Sequence, residues 1–116
     1  MDMLYNKSLD KVENEAKSWG CSYIKRYYRN IGGGVLLFFK NGYALDIVLH
    51  DGSYGNESLL FELAIGIHED CKVTKMCYSG PEVTHILPMY DSVIGYVDFE
   101  ELEDYANKVR QLPSRY

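Results

Sequence analysis

The chain has 116 residues, 12 Lys and Arg against 17 Asp and Glu, and a net charge of −5. That length suits a single domain spanning 1–116, and 47% hydrophobic with 25% charged residues excludes a disordered chain. No apolar run approaches the ~20 residues of a membrane span, so no membrane partner is expected, and the acidic balance argues against a nucleic-acid partner, because phosphate binding needs clustered Lys and Arg.

Met1 to Asn6 lacks the basic-then-apolar pattern of a signal peptide. Cys21, Cys71 and Cys77 have no C-x-x-C spacing and read as reduced, packed thiols of a cytoplasmic protein. Leu9, Val12, Ala16 and Trp19 recur at helical spacing. With Ser8 as cap and Gly20 as stop, they predict a helix over about 9–19. Residues 22–29 fit either a strand, from their alternating aromatics, or a helix, from the spacing of Ile24, Tyr27 and Ile31; the strand is preferred. Gly32-Gly33-Gly34 reads as a flexible break before a strand.

Val35 to Lys40, Asn41-Gly42 and Tyr43 to His50 form a hairpin signal. A type I′ turn at Asn41-Gly42 would set Lys40 against Tyr43, Phe38 against Leu45 and Leu36 against Ile47. Tyr43, Leu45, Ile47 and Leu49 then face a core. Val35, Leu37, Phe39 and Val48 fall on the opposite face, an apolar patch that would suit a homodimer. Asp51 to Ser58 is a loop, and Leu59 to His68 a long strand with one uninterrupted apolar face, Leu59, Phe61, Leu63, Ile65 and Ile67. A turn at Glu69-Asp70 leads into a strand from Lys72 to Tyr78, with Thr74, Met76 and Tyr78 against that row. Glu82 to Tyr96, which holds Pro88 and Gly95, reads as an irregular crossing. Asp98-Phe99-Glu100-Glu101 forms a capping box, and Phe99, Leu102, Ala106, Val109 and Leu112 form a helical stripe that stops at Pro113. The predicted fold is α+β: an antiparallel meander of four or five strands packed by an N-terminal and a C-terminal helix in a two-layer sandwich.

No nucleophile, phosphate-loop or metal motif is present, so no catalytic residue, cofactor or metal is expected. His68-Glu69-Asp70-Cys71 holds several ligand types, but a tight turn would splay them apart. Asp46 and Glu62 interrupt apolar strands and, with His50, form an alternative polar site for a small metal-dependent hydrolase or nucleotide-processing enzyme. Tyr54, Tyr90 and Tyr96 lie in loops, and tyrosine gives rigid contact area at small entropic cost. Together with Glu57 and the acidic run Glu100, Glu101, Glu103 and Asp104, they mark a candidate binding surface. A small-ligand site would lie between the Asp51–Ser58 loop and Leu87–Tyr96, lined by Tyr54 and Tyr90.

Asn41-Gly42-Tyr43, Ser53-Tyr54-Gly55, Leu60-Phe61-Glu62 and Asp91-Ser92-Val93-Ile94-Gly95-Tyr96, followed by the acidic helix start, resemble segments of small uncharacterised bacteriophage-encoded proteins. The resemblance spans about 41–112. The chain departs from that pattern at Asn56 and at Leu87-Pro88-Met89-Tyr90. The resemblance implies a phage origin and host-cell cytoplasm, with no particular activity. The leading expectation is a non-enzymatic binding protein whose partner is a host protein, as an inhibitor of a defence or metabolic factor.

Overall fold

A computed structural model describes all 116 residues. Six strands form one antiparallel sheet: β1 (Tyr23–Tyr28), β2 (Gly32–Phe38), β3 (Tyr43–His50), β4 (Phe61–Glu69), β5 (Lys72–Lys75) and β6 (Val93–Val97). They run in the order β1-β2-β3-β4-β5, and β6 pairs with β4. Helices α1 (Asp2–Glu15) and α3 (Phe99–Arg110) pack on one face, giving an α+β fold with two layers. A short helix, α2 (Pro81–Thr84), lies between β5 and β6. No helix is long and apolar enough to cross a membrane.

The helices follow their apolar stripes. Tyr5, Leu9, Val12, Ala16 and Trp19 of the N-terminal segment and Leu102, Ala106, Val109 and Leu112 of the C-terminal one are buried in a single core with Leu45, Ile47, Leu63 and Ile65 of the sheet. Helix α1 starts earlier than Ser8 predicts. Its first turn is tied to the sheet instead, because the Asp2 carboxylate accepts from the Gly32 backbone N–H at 2.6 Å. Gly20, at φ +79°, ends the segment as its sequence position predicts. The capping box of α3 is complete: Asp98 accepts from the Glu101 N–H at 2.9 Å, and the Glu101 carboxylate accepts from the Asp98 N–H at 3.0 Å.

The sheet departs from expectation in three places. Residues 22–29 do form a strand, but the glycines are no break, since Gly32, Gly33 and Gly34 open β2. A Cβ on Gly34 would come within 2.3 Å of the Tyr27 hydroxyl, so the glycine makes the seat in which the Tyr27 ring lies. The segment read as an irregular crossing supplies a sixth strand, β6. It is entered through a tight turn at Asp91-Ser92, both at positive φ, with paired backbone hydrogen bonds between Tyr90 and Val93. Beyond Lys75 the expected strand ends, and Met76 packs not on the main core but on the opposite face, beside Leu36, Phe38 and Ala44.

The hairpin between β2 and β3 carries the main correction. The turn is not type I′. Gly42 has φ +92° whereas Asn41 is not in the positive-φ region. Gly42 N–H donates to the Phe39 carbonyl at 3.2 Å, and Phe39 N–H to the Tyr43 carbonyl at 2.9 Å. This is a three-residue loop, Lys40-Asn41-Gly42, with the glycine as left-handed bulge. The register therefore shifts by one: Leu37 faces Leu45, Val35 faces Ile47, and Leu36 faces Asp46. A shift of one exchanges the faces of a strand. Val35, Leu37 and Phe39 enter the main core, while Val48 remains on the other face and is also buried. The expected dimer patch of Val35, Leu37, Phe39 and Val48 is thus no exposed surface. Positive φ at both central residues, the type I′ requirement, occurs instead at Asp70-Cys71 between β4 and β5.

Asn41 explains the preference for the longer loop. Its Nδ2 donates to the carbonyls of Val109, Arg110 and Leu112 at 2.9, 3.2 and 3.1 Å, and its Oδ1 accepts from the Tyr43 N–H at 3.1 Å. The side chain thereby satisfies carbonyls that the end of α3 leaves without helical partners. Replacing Asn41 by Ala is expected to cost about 2–4 kcal/mol. Asn41→Asp should cost more, because a carboxylate would face three carbonyl oxygens. Urea unfolding of both variants checks this; a loss below ~0.5 kcal/mol would show that Asn41 is not the tie.

Candidate functional site

The three residues of the alternative polar site each bond a different partner. The Tyr27 hydroxyl donates to Asp46 Oδ1 at 2.7 Å, across the seat left by Gly34. Glu62 Oε1 accepts from the Tyr54 backbone N–H at 3.0 Å. His50 Nδ1 donates to the Asp51 carbonyl at 2.9 Å. No three His, Cys, Asp or Glu side chains are grouped closely enough to hold a metal ion. Asp46 lies opposite Ala64 and Glu62 opposite Val48, which sets the carboxylates diagonally across β3 and β4. Burial pushes the Asp46 carboxyl up to about 6; the Tyr27 hydrogen bond opposes this, nearby Glu62 adds to it, and His50 and Arg29 oppose it. Burial beside Asp46 raises the Tyr27 hydroxyl well above the ordinary tyrosine range. The pair is a half-buried strut of the second sheet face.

His68 is likewise engaged. Its Nε2–H donates to the Phe39 carbonyl at 2.7 Å, and its Nδ1 accepts from the Cys71 N–H at 3.2 Å. Cys21, Cys71 and Cys77 form no disulfide.

The tyrosines do converge. A cleft of about 540 Å³ is lined by Tyr54, Pro88, Tyr90, Val93, Ile94, Gly95, Tyr96 and Tyr105. It lies between the Asp51–Ser58 loop and the Leu87–Tyr96 segment, where a small-ligand site was expected. Tyr54, Tyr96 and Tyr90 are 51%, 66% and 79% exposed. The rings of Tyr54 and Tyr96 are within 19° of parallel, with centroids 6.5 Å apart. Gly95 allows this approach, because a Cβ there would come within 2.9 Å of Tyr54 Cβ.

Local backbone geometry presents these rings. The pairing of β6 with β4 shifts between Phe61 and Leu63, so that Gly95 and Tyr96 together oppose the single residue Glu62. Such a bulge re-aims a side chain. Tyr96 sits at φ +58°, Asp91 at +50°, Ser92 at +66° and Leu59 at +57°. Left-handed backbone costs a non-glycine residue about 1–2 kcal/mol. Four of the seven non-glycine residues with positive φ thus belong to the segments around this cleft, a distribution typical of sites that hold strain.

The acidic run divides around α3. Burial first, and then the charges of Glu101, Asp104 and Asp98, push the Tyr105 hydroxyl upward, with Lys108 opposing, so these carboxylates act on one lining residue of a cleft whose own walls hold no carboxylate. Glu103 lies instead in a groove with Trp19, Asn107 and Arg110. Glu100 is exposed in the first turn of α3, and Glu57 lines a smaller groove with Tyr54 and Tyr96. Tyr105 falls within the apolar stripe of its helix, three residues after Leu102 and four before Val109, so helical spacing is the signal that marks it. Pro88 and Val93 were hidden by the irregular-looking crossing segment. Tyr27 had one signal, the small residue Gly34 that faces it across the β1–β2 pair.

Comparison with protein-family models, curated proteins and solved structures finds no match for this chain.

The Asp46 carboxyl sets a pH dependence. Its folded value near 6 lies above the ordinary 3.8, so the folded protein holds the proton more tightly. The stability contribution is complete below about 3.8 and lost as pH rises through about 6. Relative to Asp46→Asn, the native chain should lose about 2–3 kcal/mol between pH 4 and 7 in urea unfolding. Parallel stability profiles for the two proteins would contradict this.

Proposed function

We propose that the protein is a non-enzymatic binding protein that engages a host-cell protein through the tyrosine-lined cleft. The observation that carries this reading is the convergence of Tyr54, Tyr90, Tyr96 and Tyr105 on one cleft bounded by left-handed backbone. Tyrosine is enriched among residues that dominate binding energy. The high exposure of the rim tyrosines supports a protein partner over an engulfed small molecule, since ligand pockets bury most of their ligand. The resemblance of 41–112 to bacteriophage-encoded proteins supports a host partner in the cytoplasm, with inhibition of a defence or metabolic factor as the outcome. The cleft volume also suits a small ligand, which makes that the second reading.

Tyr96→Gly separates binding from folding. It removes a stacked ring and also relieves backbone at φ +58°, so unfolding stability should stay within about 1 kcal/mol of the native chain. Quantitative affinity capture from bacterial lysate with the native chain and with Tyr54→Ala/Tyr96→Gly checks the function. The expected result is a host protein whose recovery falls at least about tenfold in the variant. Equal recovery of every captured protein would overturn the reading. A thermal shift produced by the small-molecule fraction of the lysate alone would favour the second reading.

A further inference from the structure

The two chain segments that build the cleft have an extreme charge composition. Residues 51–64 and 86–107 contain Asp51, Glu57, Glu62, Asp91, Asp98, Glu100, Glu101, Glu103 and Asp104, and no Lys, Arg or His. Nine of the 17 carboxylates of the chain are thus in these segments, with none of its 12 Lys and Arg. Glu103 and Asp51 line other grooves, but part of this charge lies close to the aromatic lining. Glu62 holds the backbone N–H of Tyr54 at 3.0 Å, and Glu101 and Asp104 act on the Tyr105 hydroxyl. An aromatic face attracts a cation through its quadrupole, and nearby carboxylates add a longer-range attraction.

The chain provides an internal precedent. Lys108 Nζ stands 5.6 Å from the Tyr105 ring centroid and 3.2 Å from Asp104 Oδ2. Helix α3 accepts a second ammonium at its start, where Lys11 Nζ lies 4.1 Å from the Phe99 ring centroid. Asp98, Glu101 and Glu62 have no ion-pair partner within the chain, so the segments that build the cleft keep negative charge that no internal cation neutralises.

Resting on the reading of the cleft as a binding site, we infer that its occupant is an arginine side chain of the partner protein, its guanidinium against the tyrosine rings and its charge met by the surrounding carboxylates. Arginine fits better than lysine because its planar group both stacks on aromatic rings and pairs with carboxylates in two-pronged fashion. A nucleic-acid or acidic-peptide occupant is disfavoured by the same charges.

The test titrates the full chain by amide NMR with N-acetyl-arginine-N-methylamide, with its neutral citrulline isostere, and with spermidine. The expected result is saturable shifts at Gly95, Tyr96 and Tyr105 with the arginine probe. The citrulline probe should bind at least about fivefold more weakly, added salt should weaken the arginine binding, and Tyr54→Ala/Tyr96→Gly should abolish it. Citrulline binding as tightly as arginine at the same amides would overturn the inference and leave the binding cleft standing. Spermidine binding as tightly as arginine would overturn it in favour of a free polyamine. Arginine shifts confined to other surfaces, or shifts unchanged in the variant, would also overturn it. If no probe moves these amides and the tyrosine variant still captures every lysate protein, both the inference and the binding reading fail.

Discussion

The fold depends on the register of the β2–β3 hairpin, and the three-residue loop Lys40-Asn41-Gly42 sets that register. The loop exchanges which side chains of β2 meet the helices. Val35, Leu37 and Phe39 go under α1 and α3, and Leu36 and Phe38 go to the other face with Tyr27, Met76 and Ala44. The same loop reaches the C-terminal end of the chain. Asn41 holds the carbonyls at the end of α3, and its own carbonyl accepts from the Arg115 N–H at 2.9 Å. The Tyr116 hydroxyl donates to the His68 carbonyl at 2.9 Å, which adds β4 to the tie. A strand register, a helix terminus and the chain end are thus set by one polar loop whose central residue is nearly inaccessible to solvent.

This arrangement shows what the residues disclose and what they hide. The core stripes of both helices, the capping box at Asp98 and the apolar row of β4 follow from periodicity alone, because each is a local pattern on one element. The register of the hairpin does not. Asn-Gly suits a type I′ turn locally, and only the carbonyls of α3, remote in sequence, make the longer loop the better solution. The three glycines mislead for a related reason. Their lack of side chains resembles flexibility, but in β2 it makes room for the Tyr27 ring crossing toward Asp46. The start of α1 is hidden too, since a contact from Asp2 to Gly32 outweighs the Ser8 signal.

The candidate site was legible in part. Tyr54, Tyr90 and Tyr96 stand out as aromatics in loop-like sequence, and the gap between their two segments is where the cleft lies. Tyr105 carried a signal in its spacing, since it stands three residues after Leu102 and four before Val109 and its ring packs partly against the core. The strand β6 was masked by Pro88, Gly95 and two adjacent residues in left-handed conformation, features that read as irregularity although they build a turn and a bulge. Those features also give the cleft its character. A rigid sheet and a capped helix hold short strained segments that present tyrosines outward, so aromatic area is exposed on side chains with few rotatable bonds. The polar candidates Asp46, Glu62 and His50 each have a hydrogen-bond partner within the fold, which accounts for their interruption of apolar strands.

The most direct measurement is tyrosine footprinting of the intact chain, in which nitration of each exposed tyrosine is read by mass spectrometry in buffer and in bacterial lysate. Tyr23, Tyr28, Tyr54, Tyr90, Tyr96 and Tyr116 are all exposed and serve as reporters on separate surfaces. The account predicts protection of Tyr54, Tyr90 and Tyr96 in lysate, with Tyr23, Tyr28 and Tyr116 labelled as in buffer. Protection at Tyr23 and Tyr28, on the β1 edge, with the cleft tyrosines still labelled would contradict it.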